Sequence, residues 1–346
     1  MGRHHTAVIT TNGKLFTFGC GKHGALGYKN YYFQHTPKEV PFFSDRKLKV
    51  IDVVTGYNHT IAVVENGDIY SWGWSGNNLR SIFGLNYLMS LFKAPPIGAL
   101  GRGITNNNYL PEKISNLNAK SYQQLVSGDH FVHLVKQGGE LVNWGQGIDG
   151  CLGNGYESAL YTPAINEYFQ NLKDEQHINI VKIKAAAHHS VVLLSDGNLY
   201  SFGKNDQGQL GIRLNLGHTN DKLAVSPTPV NNVAYKGQNI VDFDTGKNTL
   251  VILTDQNQVF FSGLELAYQP IKWEIPSNEK IIKVTASEDS FAALTENGTL
   301  YQFNQYCDAN VREYEQYEYA IQNDKSFQGK IVDVGGNYGI RYAIVN

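Results

Sequence analysis

HHSVVLLSDGNLYSFGKNDQGQLG, residues His188–Gly211, decides the fold. Taken alone it reads like an enzyme loop: a histidine pair, an aspartate, and a glycine-rich run after an aromatic strand. The rest of the chain contains it again, with substitutions. HTAVITTNGKLFTFGCGKHGALG (His5–Gly27), HTIAVVENGDIYSWGWSGNNL (His59–Leu79) and HFVHLVKQGGELVNWGQGIDGCLG (His130–Gly153) align with it, the last with one residue inserted at its turn. Weaker copies stand at NTLVILTDQNQVFFSG (Asn248–Gly263) and SFAALTENGTLYQFN (Ser290–Asn304), and the final IRYAIVN begins a seventh. The anchors 5, 59, 130, 189, 248, 290 and 340 are separated by 54, 71, 59, 59, 42 and 50 residues. Such intervals suit propeller blades and exceed most helical repeats.

Each unit translates into strands and turns. Val191-Val192-Leu193-Leu194 has no polar face, as in a strand covered on both sides. Asn12-Gly13, Asn66-Gly67, Asp196-Gly197 and Asn297-Gly298 predict two-residue type I′ hairpins. An aromatic strand follows and ends on Gly19, Gly73, Gly145 or Gly203, where the backbone must approach a neighbour closely. Stretches such as Lys49–Val54 and Ile180–Ile183 supply further strands, preceded by turns marked by Pro37, Pro111, Pro163, Pro229 and Pro270. The expected fold is all-β: a propeller of four-stranded blades occupying residues 1–346 as one domain. Seven blade positions are favoured, six complete units plus a partial seventh, with a six-bladed ring as the alternative. Ile331-Val332-Asp333-Val334 is expected to supply the strand that the first unit lacks.

These residues resemble the regulator of chromosome condensation repeat family. The pattern of glycine, histidine, apolar strand, D-G or N-G turn, L-Y-S-F-G and G-x-L-G spans nearly the whole chain. Its last part stands at Gly24–Gly27, Gly150–Gly153 and Gly208–Gly211. Units five and six lose the glycine turn, and the second replaces it with an insertion. The resemblance implies a β-propeller, usually seven-bladed. Its founding member exchanges guanine nucleotide on the small GTPase Ran, and other members regulate kinases and ubiquitin ligases or act at cilia.

Repetition also removes several catalytic readings. Gly19, Gly21 and Gly24 form a literal G-x-G-x-x-G after a strand, but the spacing recurs at Gly145, Gly147 and Gly150 without the helix and acid that dinucleotide binding needs. His5, His59, His130 and His189 occupy equivalent positions, so repetition distributes them instead of converging them on one metal. They read as structural anchors. No catalytic residue, cofactor or metal is expected. Three distant cysteines argue against a disulfide scaffold and for an intracellular, cytoplasmic setting, with a cilium or another organelle as alternatives. A net charge of −2 gives no broad basic surface for nucleic acid, and no apolar stretch reaches the length of a membrane span.

Function is therefore sought where units diverge, in insertions at 79–110, 166–179 and 306–320. In the first, Ile82, Leu85, Met89 and Phe92 recur at helical spacing beside Lys93 and Arg102, which reads as an amphipathic docking segment. In the last, Tyr314, Tyr317 and Glu318 represent a tyrosine-rich acidic surface suited to a basic partner. The reading is a non-enzymatic protein–protein interaction module, a scaffold subunit of a multi-subunit assembly. The alternative is a guanine-nucleotide exchange factor or regulator of a Ran-like small GTPase. A chain that starts and stops inside units also reads as a piece of something longer.

Overall fold

A computed structural model describes residues 2–29, 32–75, 98–103, 107–213, 222–275, 278–304, 317–318, 331–337 and 340–345. The chain divides into two compact units, Met1–Ile180 and Val181–Asn346. Among the described residues there are seven antiparallel sheets, five of four strands, one of three and one of two.

The first unit holds three sheets. Sheet one is β1 (His5–Ile9), β2 (Leu15–Cys20) and β3 (Phe33–Glu39), and a short helix α1 (Pro41–Ser44) follows it. Sheet two is β4 (Val50–Thr55), β5 (His59–Val64), β6 (Asp68–Gly73) and β7 (Asn108–Asn118). Sheet three is β8 (Tyr122–Ser127), β9 (Phe131–Lys136), β10 (Leu141–Gly145) and β11 (Leu160–Ile165). The core lies between sheets: Ile61, Val63 and Ile69 of sheet two meet Val132, Leu134 and Trp144 of sheet three.

The second unit repeats the plan. Sheet four is β12 (Ile180–Ala185), β13 (His189–Leu194), β14 (Leu199–Lys204) and β15 (Leu223–Pro229). Sheet five is β16 (Ile240–Thr245), β17 (Thr249–Thr254), β18 (Val259–Gly263) and β19 (Ala267–Trp273). Sheet six is β20 (Ile281–Ala286), β21 (Ser290–Thr295), β22 (Leu300–Asn304) and β23 (Tyr317–Glu318). Sheet seven is β24 (Ile331–Asn337) with β25 (Ile340–Val345). Charged side chains cross-link the first strands of successive sheets. Lys182 pairs with Asp242, Lys184 with Asp244 at 3.2 Å, and Lys283 with Asp333. Asp244 also accepts the Ala286 N–H at 3.0 Å.

Several expectations are corrected. Ile331–Val334 lies in β24 and pairs with β25, so it heads a seventh sheet and does not complete the first. The hairpins are not type I′. Thr10 and Leu194 close three-residue loops, their N–H groups donating to Lys14 and Asn198, and in each loop only the glycine has positive φ: Gly13 at 81° and Gly197 at 83°. This is a type I turn with a glycine bulge, which spares Asn12 and Asp196 a left-handed backbone. The five marker prolines sit inside β3, β7, β11, β15 and β19, not in turns. Each of those strands is the outer edge of its sheet, where a residue without an N–H costs no ladder bond and discourages pairing with another chain.

The insertions are also redrawn. The second unit keeps its glycine turn as Gly98-Ala99-Leu100-Gly101, and residues 108–110 begin β7. In sheets one to four the strand before that turn donates a side-chain hydrogen bond to the turn's leucine carbonyl. The pairs are Thr17 to Leu26, Ser71 to Leu100, Asn143 to Leu152 and Ser201 to Leu210, each at 2.7 Å. Sheet five places Phe261 at this position and has no such turn, so donor and acceptor are lost together. Within 166–179 lies a helix, α2 (Glu167–Gln176), capped by the Asn166 side chain, which accepts from the Phe169 N–H and donates to Leu152 and Gly153 carbonyls. Its end is closed by His177 at φ 57°. Phe169 is buried, so this polar-looking segment is fastened to the repeat behind it.

Candidate interaction surfaces

Three of the four anchor histidines reach across to the next sheet within their unit. His5 Nε2 lies 2.7 Å from Thr60 Oγ1, His59 Nε2 3.0 Å from Ser127 Oγ, and His189 Nε2 2.5 Å from Thr245 Oγ1. Burial drives each of these imidazoles down to about 3, so all are neutral at physiological pH. Opposite them stand Gly19, Gly73 and Gly203. A Cβ at Gly203 would lie 2.4 Å from the His188 carbonyl, and its φ is 109°. Here glycine is fixed both by conformation and by close approach.

His130 does not belong to this set. Phe131 pairs with Gly145, and the loop from Lys136 to Glu140 is as long as those of its siblings, so the third unit carries no inserted turn residue. The anchor slot is filled by Phe131, and in sheet five by Thr249 in place of Asn248. A Phe tolerates this slot because it is fully buried, edge-on to the His133 ring, and needs no polar partner.

Displaced to a half-exposed position, His130 joins something else. It packs on Tyr57, ring centroids 5.3 Å apart, and edge-on to Trp74 at 5.0 Å. His4 meets Tyr57 at 4.8 Å, and His23 lies 5.8 Å from Trp74. Five rings thus run in a row. All come from one end of the strands, because the start of each second strand, the end of each third strand and the turn after it lie at that same end. The Arg3 guanidinium stands 5.1 Å from the Tyr57 ring centre and 3.9 Å from the buried Asp129 carboxylate. Burial, then the Arg3 charge, hold His4 below the usual imidazole range. The Trp74 Nε1–H is buried and has no hydrogen-bond acceptor among the described residues. Sequence reasoning missed this row; the available signal was the run of dissimilar residues just before each anchor.

Of the residues expected to bind a partner, Ile82, Leu85, Met89, Phe92, Lys93 and Tyr314 lie outside the described residues. On the described residues that flank this part of the chain, the Asn107 side-chain carbonyl accepts from both the N–H and the hydroxyl of Ser75, at 3.0 and 3.1 Å. Arg102 is placed inward. Its side chain is 8% exposed, pairs with Glu112 at 2.6 Å and donates to Ser71 at 2.9 Å. Tyr317 and Glu318 form β23, paired with Gln302 and Tyr301. Among the described residues no three His, Cys, Asp or Glu side chains could hold a metal ion, and no helix is long and apolar enough to cross a membrane.

Comparison with known proteins agrees with this geometry. The model for the regulator of chromosome condensation (RCC1) repeat matches residues 12–63 and 196–253, and a second model of the same description matches 50–78 and 180–209. The chain is 25% identical to human E3 ubiquitin-protein ligase HERC2 over 75% of its length, which is 5% of that protein. It is 26% identical to the ultraviolet-B receptor UVR8 of Arabidopsis thaliana, covering 76% of this chain and 51% of the receptor. The chain therefore spans about half or less of these relatives. Among solved structures, yeast RCC1 (Prp20) bound to Kap60 superposes with a TM-score of 0.73 at 19% identity, covering 100% of this chain and 79% of the other. Human WBSCR16 superposes with a TM-score of 0.72 at 16% identity, covering 100% and 85%.

Proposed function

This chain is a β-propeller built from regulator of chromosome condensation repeats, and on that footing we propose that it serves as a non-enzymatic protein–protein interaction module, a scaffold subunit of a larger intracellular assembly. The observation that carries this reading is the row His4, Tyr57, His130, Trp74 and His23 at one end of the strands in the first unit. Aromatic rings already held by one another offer contact area at low entropic cost. His5, His59 and His189, by contrast, are occupied in holding sheets together. We assign the first insertion, with Ile82, Leu85, Met89, Phe92 and Lys93, and the acidic Tyr314, Tyr317 and Glu318 to the same role in partner contact.

The experiment is the native mass of the endogenous chain in a gentle lysate, compared with a Tyr57→Ala, Trp74→Ala variant. Elution far above 38.5 kDa that collapses to the monomer in the variant supports the reading. Monomeric elution of the unsubstituted chain overturns the scaffold role.

The second reading is regulation of a small GTPase. It is supported by the likeness to Saccharomyces cerevisiae Prp20p, a structure described with binding to Gsp1p and histones, at a TM-score of 0.71 and 18% identity. Acceleration of GDP release from a panel of small GTPases by catalytic amounts of the chain supports this reading; stoichiometric binding without release favours the scaffold.

A further inference from the structure

In the second unit a cleft of about 410 Å³ opens beside the outer strand of sheet four. Leu199, Pro229 and Val230 give it apolar walls, and Arg213, Asn232 and Gln269 add polar ones. The walls are fixed. The Val230 N–H donates to Leu199, the Asn231 N–H to Gly211, and the Val233 N–H to the Asn231 side chain. Gln269 is brought in from sheet five because the glycine turn of sheet four lies tightly against β19, where a Cβ at Gly208 would fall 2.5 Å from the Ala267 carbonyl. The Tyr268 hydroxyl, bonded to Asp206 at 3.2 Å, fastens the same junction.

Among the described residues Arg213 is the one charged residue lining this cleft. Among the described residues no carboxylate pairs with it, and the side-chain amides of Asn232 and Gln269 make no hydrogen bond. Asp196 lines an adjoining smaller cleft, but its carboxylate accepts from the backbone and side-chain N–H groups of Asn198. A cation and two side-chain amides that have no partner among the described residues, set around apolar walls, describe a site for a carboxylate. At the mouth, Val233 is 76% exposed. A small dianion would leave that apolar surface bare, whereas a polypeptide would cover it.

We propose that this cleft receives an acidic side chain of a protein partner, its carboxylate on Arg213 with Asn232 and Gln269 as further donors, while an adjoining apolar residue covers Val233. The inference rests on the interaction-module reading and adds a second contact to it, in the other unit and of opposite chemical character to the ring row.

The test uses the full chain and an array of immobilised seven-residue peptides with central Glu, Gln or Lys, each flanked by Leu or by Gly. Glu flanked by Leu is retained about tenfold more than Gln flanked by Leu, the scale of a charge-assisted pair. Arg213→Ala abolishes this preference and Val233→Ser abolishes the preference for Leu over Gly, both with an unchanged thermal midpoint because both residues are exposed. A Glu preference that survives Arg213→Ala, retention of no peptide, or succinate competing as well as the free peptide overturns the proposal. If the native mass remains high while the array is silent, the cleft fails and the scaffold reading stands.

Discussion

His189 Nε2 and Thr245 Oγ1 stand 2.5 Å apart, although 56 residues separate them in the chain. The imidazole begins the second strand of sheet four and the hydroxyl ends the first strand of sheet five. The same hydroxyl donates to the Thr249 carbonyl at 2.9 Å, so the imidazole nitrogen facing it is fastened to a neighbouring sheet that is itself locally closed. His189→Ala leaves the Thr245 hydroxyl only the carbonyls of its own sheet, Thr249 and Gly246, and opens a cavity. We expect a loss of about 2–3 kcal/mol in chemical unfolding. An unchanged midpoint would show that the imidazole only fills space.

Acid should unfold the protein well before its carboxylates titrate. His5, His59, His133 and His189 are each held at about 3 by burial. The unfolded chain binds protons near pH 6.5 that the folded chain refuses until about pH 3. The contribution is therefore complete above pH 6.5 and is lost as pH falls through that window. At pH 5 each histidine costs about 2 kcal/mol. Urea midpoints at pH 7, 6 and 5 should drop steeply, and a flat profile would mean that these imidazoles are reachable by protons in the folded state.

Two glycines of one hairpin should respond differently to alanine. Gly197, at φ 83°, has open space where a Cβ would go, so Gly197→Ala costs about 1 kcal/mol from backbone conformation alone. Gly203, at φ 109°, would set a Cβ 2.4 Å from a carbonyl oxygen, and Gly203→Ala costs about 3 kcal/mol or more. Equal midpoints for the two variants would contradict the register that opposes Gly203 to His189.

Glu112 is 59% exposed, yet it neutralises an Arg102 side chain that is only 8% exposed. Glu112→Ala should lower stability by about 1 kcal/mol, screened on its own side but stranding a buried cation on the other. Arg102→Ala should lower stability without selectively weakening partner binding. Loss of binding at full stability would return Arg102 to the docking surface.

Much of the fold was legible before any coordinates. The repeat spacing, the apolar second strands and the L-Y-S-F-G third strands are local patterns, and all of them became strands. Other features depended on pairing. The spacing from His130 to Gly145 suggested an extra turn residue, but cross-strand hydrogen bonds kept the turn length constant and moved the slot to Phe131. Asn12-Gly13 looked like a two-residue turn because the dipeptide favours one; the ladder selected a three-residue loop in which only glycine turns left-handed. Pro163 marks a turn in isolation and an edge strand in context.

The candidate surfaces divide in the same way. Sequence located the insertions, since departures from a repeat are visible by subtraction. It also set the fold class, because periodic burial and turn chemistry are written in neighbouring residues. It did not reveal that Gly98–Gly101 survives beyond an insertion, that Arg102 faces inward, or that His4, Tyr57, His130, Trp74 and His23 form one row. Those facts were decided by tertiary structure. Residues distant in the chain meet only after each sheet packs on the next, and one step of register determines which side chain is buried and which is left at the surface.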